Sequence, residues 1–317
     1  MTAEETLARL DEFQKPTKDA TLGVRKDAVW LHIPLTVDPA SDGRWVLEIN
    51  HPDLNRIDVL LLQGGKVLQR SVLGTEVPRA QRPLPGRTPA QAFQLEAGQN
   101  YEFLLRVQTR GAMILPITFN TPTGILGRAV NEQMLQGVLT GLALCLIFYS
   151  MAQWYSLREP LFIQYALLTS GSLLYSLHFF GVGQQYLWGH SPWLTSHAVG
   201  LASLMANTGS FLFRSQALEG HNPQSRFLRR MRWGALFTVG LGVAFALDLI
   251  SLKGLAAIVS IMGPLPALLC LPGAWRRARA GDSIGTTLLV AWFVYGLGSA
   301  AIIGVINGGI PVNFWSL

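Results

Sequence analysis

Few side chains in this sequence are of a type and spacing that could do chemistry. Arg82, Pro83, Pro85 and Arg87 form a polar, proline-stiffened loop between strand-like runs, and loops on a rigid scaffold are where ligand contacts concentrate. Arg82 and Arg87, with Trp30 or Trp45, would line a small-molecule site. The plainer alternative has Arg82 fixing its own loop through backbone carbonyls and both indoles packed as core, the commoner fate of a tryptophan on a strand. His178 and His197 fall near the ends of apolar segments, where a histidine can sense pH or hold a ligand, but more often reaches a headgroup or neighbouring backbone. Asp248 and Lys253 flank a tight turn and suit a local ion pair, because a proton relay would need further acids at depth. The sequence holds no Gly-rich phosphate loop, His/Cys metal cluster, G-x-S-x-G elbow, or kinase or cyclase signature, so no enzyme, metal or cofactor is expected in these residues. Cys145 and Cys270 lie inside apolar runs and read as packing without a disulfide.

The elements that must position these residues are set by composition. Half of the 317 residues are hydrophobic and only 14% are charged, which excludes a disordered chain or an ordinary soluble one and indicates a membrane protein. Residues 1–134 hold 15 basic and 15 acidic side chains and the remainder 10 against 4, so the net +6 belongs to the apolar half. The charge excess therefore sets orientation in a bilayer and gives no reason to expect a nucleic-acid partner. The opening MTAEETLARLDEF lacks the basic start and apolar core of a secretory signal peptide.

Six apolar segments follow: 135–155, 161–182, 193–213, 233–250, 255–275 and 284–306, each long enough to span about 30 Å of hydrocarbon, the fourth only just. Asp248 is their only charged residue. Nine arginines fall in one set of connections (Arg158; Arg214, Arg226, Arg229, Arg230 and Arg232; Arg276, Arg277 and Arg279), whereas Lys253 is alone in the other. Basic loops stay cytoplasmic, so residues 1–134 are expected outside the cytoplasm. The cluster from Arg226 to Arg232, like Arg276, Arg277 and Arg279, anchors that topology, and it could also meet anionic lipid or an output domain. Trp154, Trp188, Trp193, Trp233, Trp275 and Trp315 sit at or near segment ends, as interfacial aromatics do. Pro264 and Pro266 remove helical hydrogen bonds in the fifth segment, a kink that is either a hinge or an ordinary static bend. Small residues at Gly171, Ser172, Gly200, Ser203, Gly296, Gly298 and Ser299 would permit close helix approach.

Before residue 126 the pattern changes to short alternating runs. Residues 28–37, 44–50, 56–63, 66–74, 91–98, 101–111 and 114–120 read as strands, with Gly64-Gly65 as a two-residue hairpin turn. Seven short strands indicate an all-β sandwich or jelly roll over 1–125, joined by a connector, 126–134, to an all-α transmembrane bundle over 135–317. The stretch 121–134 is either a plain linker or an amphipathic piece that couples the two.

These features together resemble the bacterial seven-transmembrane receptors with diverse intracellular signalling modules, carrying their type-2 extracellular domain. The resemblance rests on Trp30-Leu31, Glu48-Ile49-Asn50 with Arg56-Ile57-Asp58-Val59, Gln81-Arg82-Pro83-Leu84-Pro85, Tyr101 to Thr109 with Leu115-Pro116-Ile117, and Gln185-Tyr186-Leu187-Trp188. It implies a carbohydrate-binding-like periplasmic sandwich, a multi-pass bundle in the inner membrane, and a ligand that is a sugar, another small polar molecule or an envelope protein. It also implies a histidine kinase or diguanylate cyclase output in cis, homodimerisation and membrane lipid as a partner. The family's signal peptide, seventh span and output are not in this sequence, and Asn313-Phe314 falls where the loop before the seventh span would lie, so a fragment with six of seven spans is expected. The alternatives are a membrane adaptor for an envelope protein and, with little in favour for want of ionisable groups or an inverted repeat, a transporter.

Overall fold

The computed structural model describes residues 3–15, 20–25, 27–109, 111–220, 222, 224–306 and 309–310; Asn313, Phe314 and Trp315 lie outside them. After a short helix α1 (Ala3–Leu7) come β1 (Thr21–Val24), β2 (Val29–Thr36), β3 (Arg44–Ile49), β4 (Arg56–Gln63), β5 (Lys66–Leu73), β6 (Ala90–Gln94), β7 (Asn100–Gln108), β8 (Ala112–Ile114) and β9 (Ile117–Asn120). Every pairing is antiparallel, in a four-stranded sheet β2-β7-β4-β5, a three-stranded sheet β6-β3-β9 and a two-stranded ribbon β1-β8.

The two larger sheets share one core. Ile57, Val59 and Leu61 of β4 and Phe103, Leu105 and Val107 of β7 meet Leu47 and Ile49 of β3 and Phe93 of β6. Strand alternation sends Leu60, Leu62 and Leu104 to the opposite face. There Trp30, Val67 and the N-terminal Leu7, Leu10 and Phe13 cover them. A strand buried on both faces reads as a continuous apolar run, which accounts for VLLL in β4 and FLL in β7.

Gly64 and Gly65 both adopt positive φ, 56° and 77°, and close the β4–β5 hairpin as expected from two glycines there. Two features differ from the sequence reading. The run 114–120 is split, since Pro116 has no N–H for a ladder, and its halves pair with different strands, β8 with β1 and β9 with β3. Strand β1 went unread because TLGV is short and carries Gly23 at positive φ.

The helices are α2 (Pro122–Leu157), α3 (Pro160–Phe179), the short α4 (Val182–Tyr186), α5 (Pro192–Glu219), α6 (Arg226–Ala246), α7 (Leu252–Met262), α8 (Leu265–Arg279) and α9 (Ser283–Ile306). Among the described residues three helical stretches are long and apolar enough to cross a membrane: Pro122–Leu157, Leu252–Arg279 and Ser283–Ala301. The connector expected over 126–134 is helical and belongs to the 36-residue α2. Thr121 accepts the Gly124 N–H (3.3 Å) and Pro122 follows at the first helical position, a start signal that places the helix start thirteen residues upstream of the apolar segment that begins at 135.

In the bundle α5 is the central helix. A Cβ on Gly171 would stand 2.3 Å from the Ala206 backbone N, and one on Gly209 2.5 Å from that of Leu168, so α3 and α5 touch backbone to backbone. Gly200 admits the Phe245 ring of α6, and the Thr208 and Thr238 hydroxyls meet at 2.7 Å. Gly296 and Gly298 face open space and make no such contact. Cys145 is exposed and Cys270 buried, both free.

Candidate functional site

The β2–β3 loop is built to be rigid. Asp38 Oδ1 accepts the Ala40 N–H at 2.8 Å, and Asp42 Oδ1 accepts the Arg44 N–H at 3.0 Å. Asp42 also pairs with the Arg44 guanidinium at 2.9 Å. The Arg44 backbone N–H, and then its side chain, hold the Asp42 carboxyl below its ordinary pKa. Gly43 has φ of 75°, and a Cβ there would sit 2.2 Å from the Leu95 carbonyl oxygen, so only glycine brings the loop down onto the neighbouring chain. Ser41 Oγ accepts both Trp45 Nε1 (3.0 Å) and the Gly43 N–H (3.1 Å). With both lone pairs engaged, the Ser41 hydroxyl proton is left to donate outward.

This loop and the start of α2 line an open cleft of about 510 Å³, bordered by Asp38, Ser41, Asp42, Arg44, Trp45, Thr121 and Thr123 among others. The volume suits a small ligand. Two carboxylates, a guanidinium and three hydroxyls surround one indole that also packs on the sandwich core. Such a lining offers an apolar ring face to C–H groups and alternating donors and acceptors to hydroxyls, the chemistry that takes a polyol or sugar.

Three residues along β3 from Trp45, and on the opposite face of the strand, lies Glu48, only 6% exposed. Thr88 Oγ1 donates to its Oε1 at 2.7 Å, and Arg128 Nη2, on α2, pairs with Oε2. The strand that carries the cleft's indole therefore also carries the carboxylate that grips α2.

The four residues singled out from sequence do not converge. Trp45 lines the cleft. Trp30 packs in the outer cluster against Leu60, Leu62 and Leu104. Arg82 Nε donates to the Val77 carbonyl (3.0 Å) beside a crevice of about 10 Å³, room for one water at most. Arg87 Nη2 reaches Asn50 Oδ1 at 3.4 Å. Asp38, Ser41, Asp42, Arg44, Thr121, Thr123 and Arg128 are not marked as site residues by the sequence, and Glu48 enters there only through the resemblance. The signal available was DPASDG, dense in turn-forming polar residues, immediately before Arg44-Trp45.

In the bundle, Gly263 and Pro264 separate α7 from α8, and Pro266 lies buried in the first turn of α8. Arg226, Arg229, Arg230 and Arg232 occupy the first two turns of α6, and Arg276, Arg277 and Arg279 the last turn of α8. Arg277 does more than anchor: Nη1 donates to the Ala217 and Leu218 carbonyls at 2.9 and 3.0 Å, capping α5, while Nε meets Asp282 at 2.8 Å. Asp248 pairs with His197 Nε2 at 3.0 Å and not with Lys253, because positive φ at Asp248 turns the chain back toward α5. The His197 ring is sandwiched by Trp193 (4.5 Å) and Phe245 (4.9 Å), and His178 stacks on Trp188 (6.2 Å). Among the described residues no three His, Cys, Asp or Glu side chains form a metal-binding group.

Comparison with known families gives two matches that together cover nearly the whole chain. The family described as 7TMR-DISM extracellular 2 matches residues 1–121, and that described as 7TM diverse intracellular signalling matches residues 132–317. A search of curated proteins finds no match.

Proposed function

Because the chain belongs to the bacterial seven-transmembrane receptors with diverse intracellular signalling modules, an inner-membrane family with a periplasmic sensor domain, we propose that it senses a small periplasmic carbohydrate in the Trp45 cleft and relays binding through α2. The observation that carries this is the cleft's double origin: one wall is the β2–β3 loop and the other is the first turn of α2. A ligand held by both walls prefers one placement of α2 over another, and that difference in affinity is what a receptor needs to shift a two-state equilibrium. Trp45 stacks on the sugar ring, Asp38, Asp42 and Arg44 bond its hydroxyls, and Thr121 and Thr123 report its presence to the helix. We assign Arg82 and Arg87 to holding the loop from 74 to 90, and Trp30 to packing.

On this reading the sandwich is of the jelly-roll, carbohydrate-binding type. The helices over all six apolar segments cross the membrane as six of seven spans, the α7–α8 break at Gly263–Pro264 with Pro266 is the hinge, and the signal ends at a histidine kinase or diguanylate cyclase module.

The test is titration of the purified chain in lipid nanodiscs with a panel of mono- to tetrasaccharides, followed by calorimetry. At least one sugar should bind, and Trp45→Ala should weaken it by about tenfold or more. Failure of every saccharide, or binding unchanged in Trp45→Ala, would remove the cleft as the sensor site.

A further inference from the structure

The inner end of the bundle holds a cation with no counter-charge. Arg214, on the last turns of α5, is partly buried, and its guanidinium lies 5.4 Å from the Trp292 ring of α9. Among the described residues no carboxylate pairs with it. Glu219, the next acid along α5, is engaged by the Ser225 hydroxyl, and Asp282 is engaged by Arg277. A guanidinium drawn away from water without a carboxylate is an expensive arrangement unless something supplies acceptors.

Two further groups on α5 are in the same position. Ser210 and Asn207 are 6% and 5% exposed, and neither Ser210 Oγ nor either amide atom of Asn207 has a hydrogen-bond partner. Spacings of three and four residues put 207, 210 and 214 on one face of the helix. Helical side chains lean toward the N-terminus, which carries the Arg214 guanidinium back toward Ser210. The face thus presents a fixed positive charge, a hydroxyl and an amide, and the Trp292 ring beside the guanidinium has no oxygen to accept its N–H groups, which stay available to an acceptor.

We infer that Arg214, Ser210, Asn207 and Trp292 form a binding site for a phosphate-bearing anion, occupied by the headgroup phosphate of an anionic lipid. Arg supplies paired N–H donors to the phosphate oxygens, and Ser210 and Asn207 supply neutral ones. Lipid is the favoured source because Arg226, Arg229, Arg230 and Arg232 and the α8 terminus make this the basic end of the bundle, where anionic headgroups gather. The site lies in the helical unit and stands or falls independently of the Trp45 cleft.

The test is thermal unfolding of the full chain in dodecylmaltoside with added phosphatidylglycerol, phosphatidylcholine or inorganic phosphate. Phosphatidylglycerol should raise the Tm saturably, phosphatidylcholine should not, and Arg214→Gln should shift the midpoint lipid concentration upward by about tenfold. If Arg214→Gln fails to fold, Arg214→Lys, which keeps the charge and loses the planar fork, should weaken the response severalfold, as should Ser210→Ala. A full response to inorganic phosphate that Arg214→Lys also weakens would support the anion site but overturn the lipid as its occupant. Equal responses to the two lipids, or loss of the response in Arg229→Gln/Arg230→Gln with Arg214→Lys unaffected, would overturn the site in favour of diffuse surface charge.

Discussion

The sandwich and the bundle divide their large apolar side chains between inside and outside differently. In the sandwich, Phe103, Leu47, Ile49 and Leu105 are removed from solvent altogether, and the one deeply buried acid on β3, Glu48, is met on both oxygens. In the bundle, many large apolar side chains such as Val138, Leu236 and Phe293 point outward, while the interior combines apolar clusters around Phe211 and Phe245 with the Thr208–Thr238 pair and with His197, Asn207 and Ser210. The sandwich gathers its oil because water expels it. The bundle, solvated by lipid, gains less from hiding leucine, and it adds glycine-mediated contact and polar groups to its apolar clusters. One chain therefore obeys two solvent rules, and a residue's type says where it lies only once its surroundings are known.

Two phenylalanines make the sharpest test. Phe103→Ala leaves a cavity between the sheets and should destabilise the periplasmic domain by about 4 kcal/mol in urea unfolding followed by tryptophan fluorescence. Phe293→Ala, on a side chain that is 68% exposed, should change bundle stability in detergent by no more than about 0.5 kcal/mol. Comparable losses would erase the distinction.

A smaller effect is expected where a charge enters the sandwich. Arg128→Ala leaves Glu48 buried with Thr88 alone, and should cost about 2 kcal/mol, between the values for exposed and fully buried pairs, since Arg128 is 35% exposed. Arg128→Ala should also reduce any ligand-induced change in α2, read by a spin label at Cys145, more than it reduces sugar affinity. The reverse split would mean that Arg128 serves the cleft and not the helix.

The smallest effect concerns pH. Burial pushes the pKa of His51, in the loop after β3, below its ordinary 6.5, against the opposing pull of Asp53. The folded state then holds this imidazole neutral while the unfolded chain takes up its proton first. Stability contributed by neutral His51 is present above 6.5 and is lost as pH falls below it. A His51→Gln variant should show a flatter Tm between pH 7 and pH 5, and equal slopes would exclude His51 as the cause.

Local pattern made much of this fold readable. Gly64-Gly65 marked its hairpin, the alternating runs marked most strands, and each apolar segment lies on a helix or a helix pair. What escaped depended on contacts distant in sequence. The cleft joins residues 38–45 to 121–123, and Asp248 meets His197 across 51 positions. Neither juxtaposition leaves a trace in spacing. Residue type alone points to Trp45 and Arg82 alike, and only the fold shows that Trp45 lines the cleft while Arg82 Nε donates to the Val77 carbonyl. The start of α2 was legible in Thr121-Pro122 but was masked by the polar residues after it, because apolar periodicity begins only where lipid does.

The unbroken α2 has a consequence for how this receptor can vary. At 1.5 Å and 100° per residue, its 36 residues make a helix about 54 Å long in which each position has a set angular phase relative to its neighbours in sequence. Substitutions between Thr121 and Glu132 leave that phase alone. A single inserted or deleted residue shifts the helical phase of the positions after it on α2 by about 100° and their rise by about 1.5 Å, changing which α2 side chains share a face. Its length, more than its composition, is then the property that must stay constant, and insertions of three or four residues, which nearly restore the angle, should be tolerated where one or two are not.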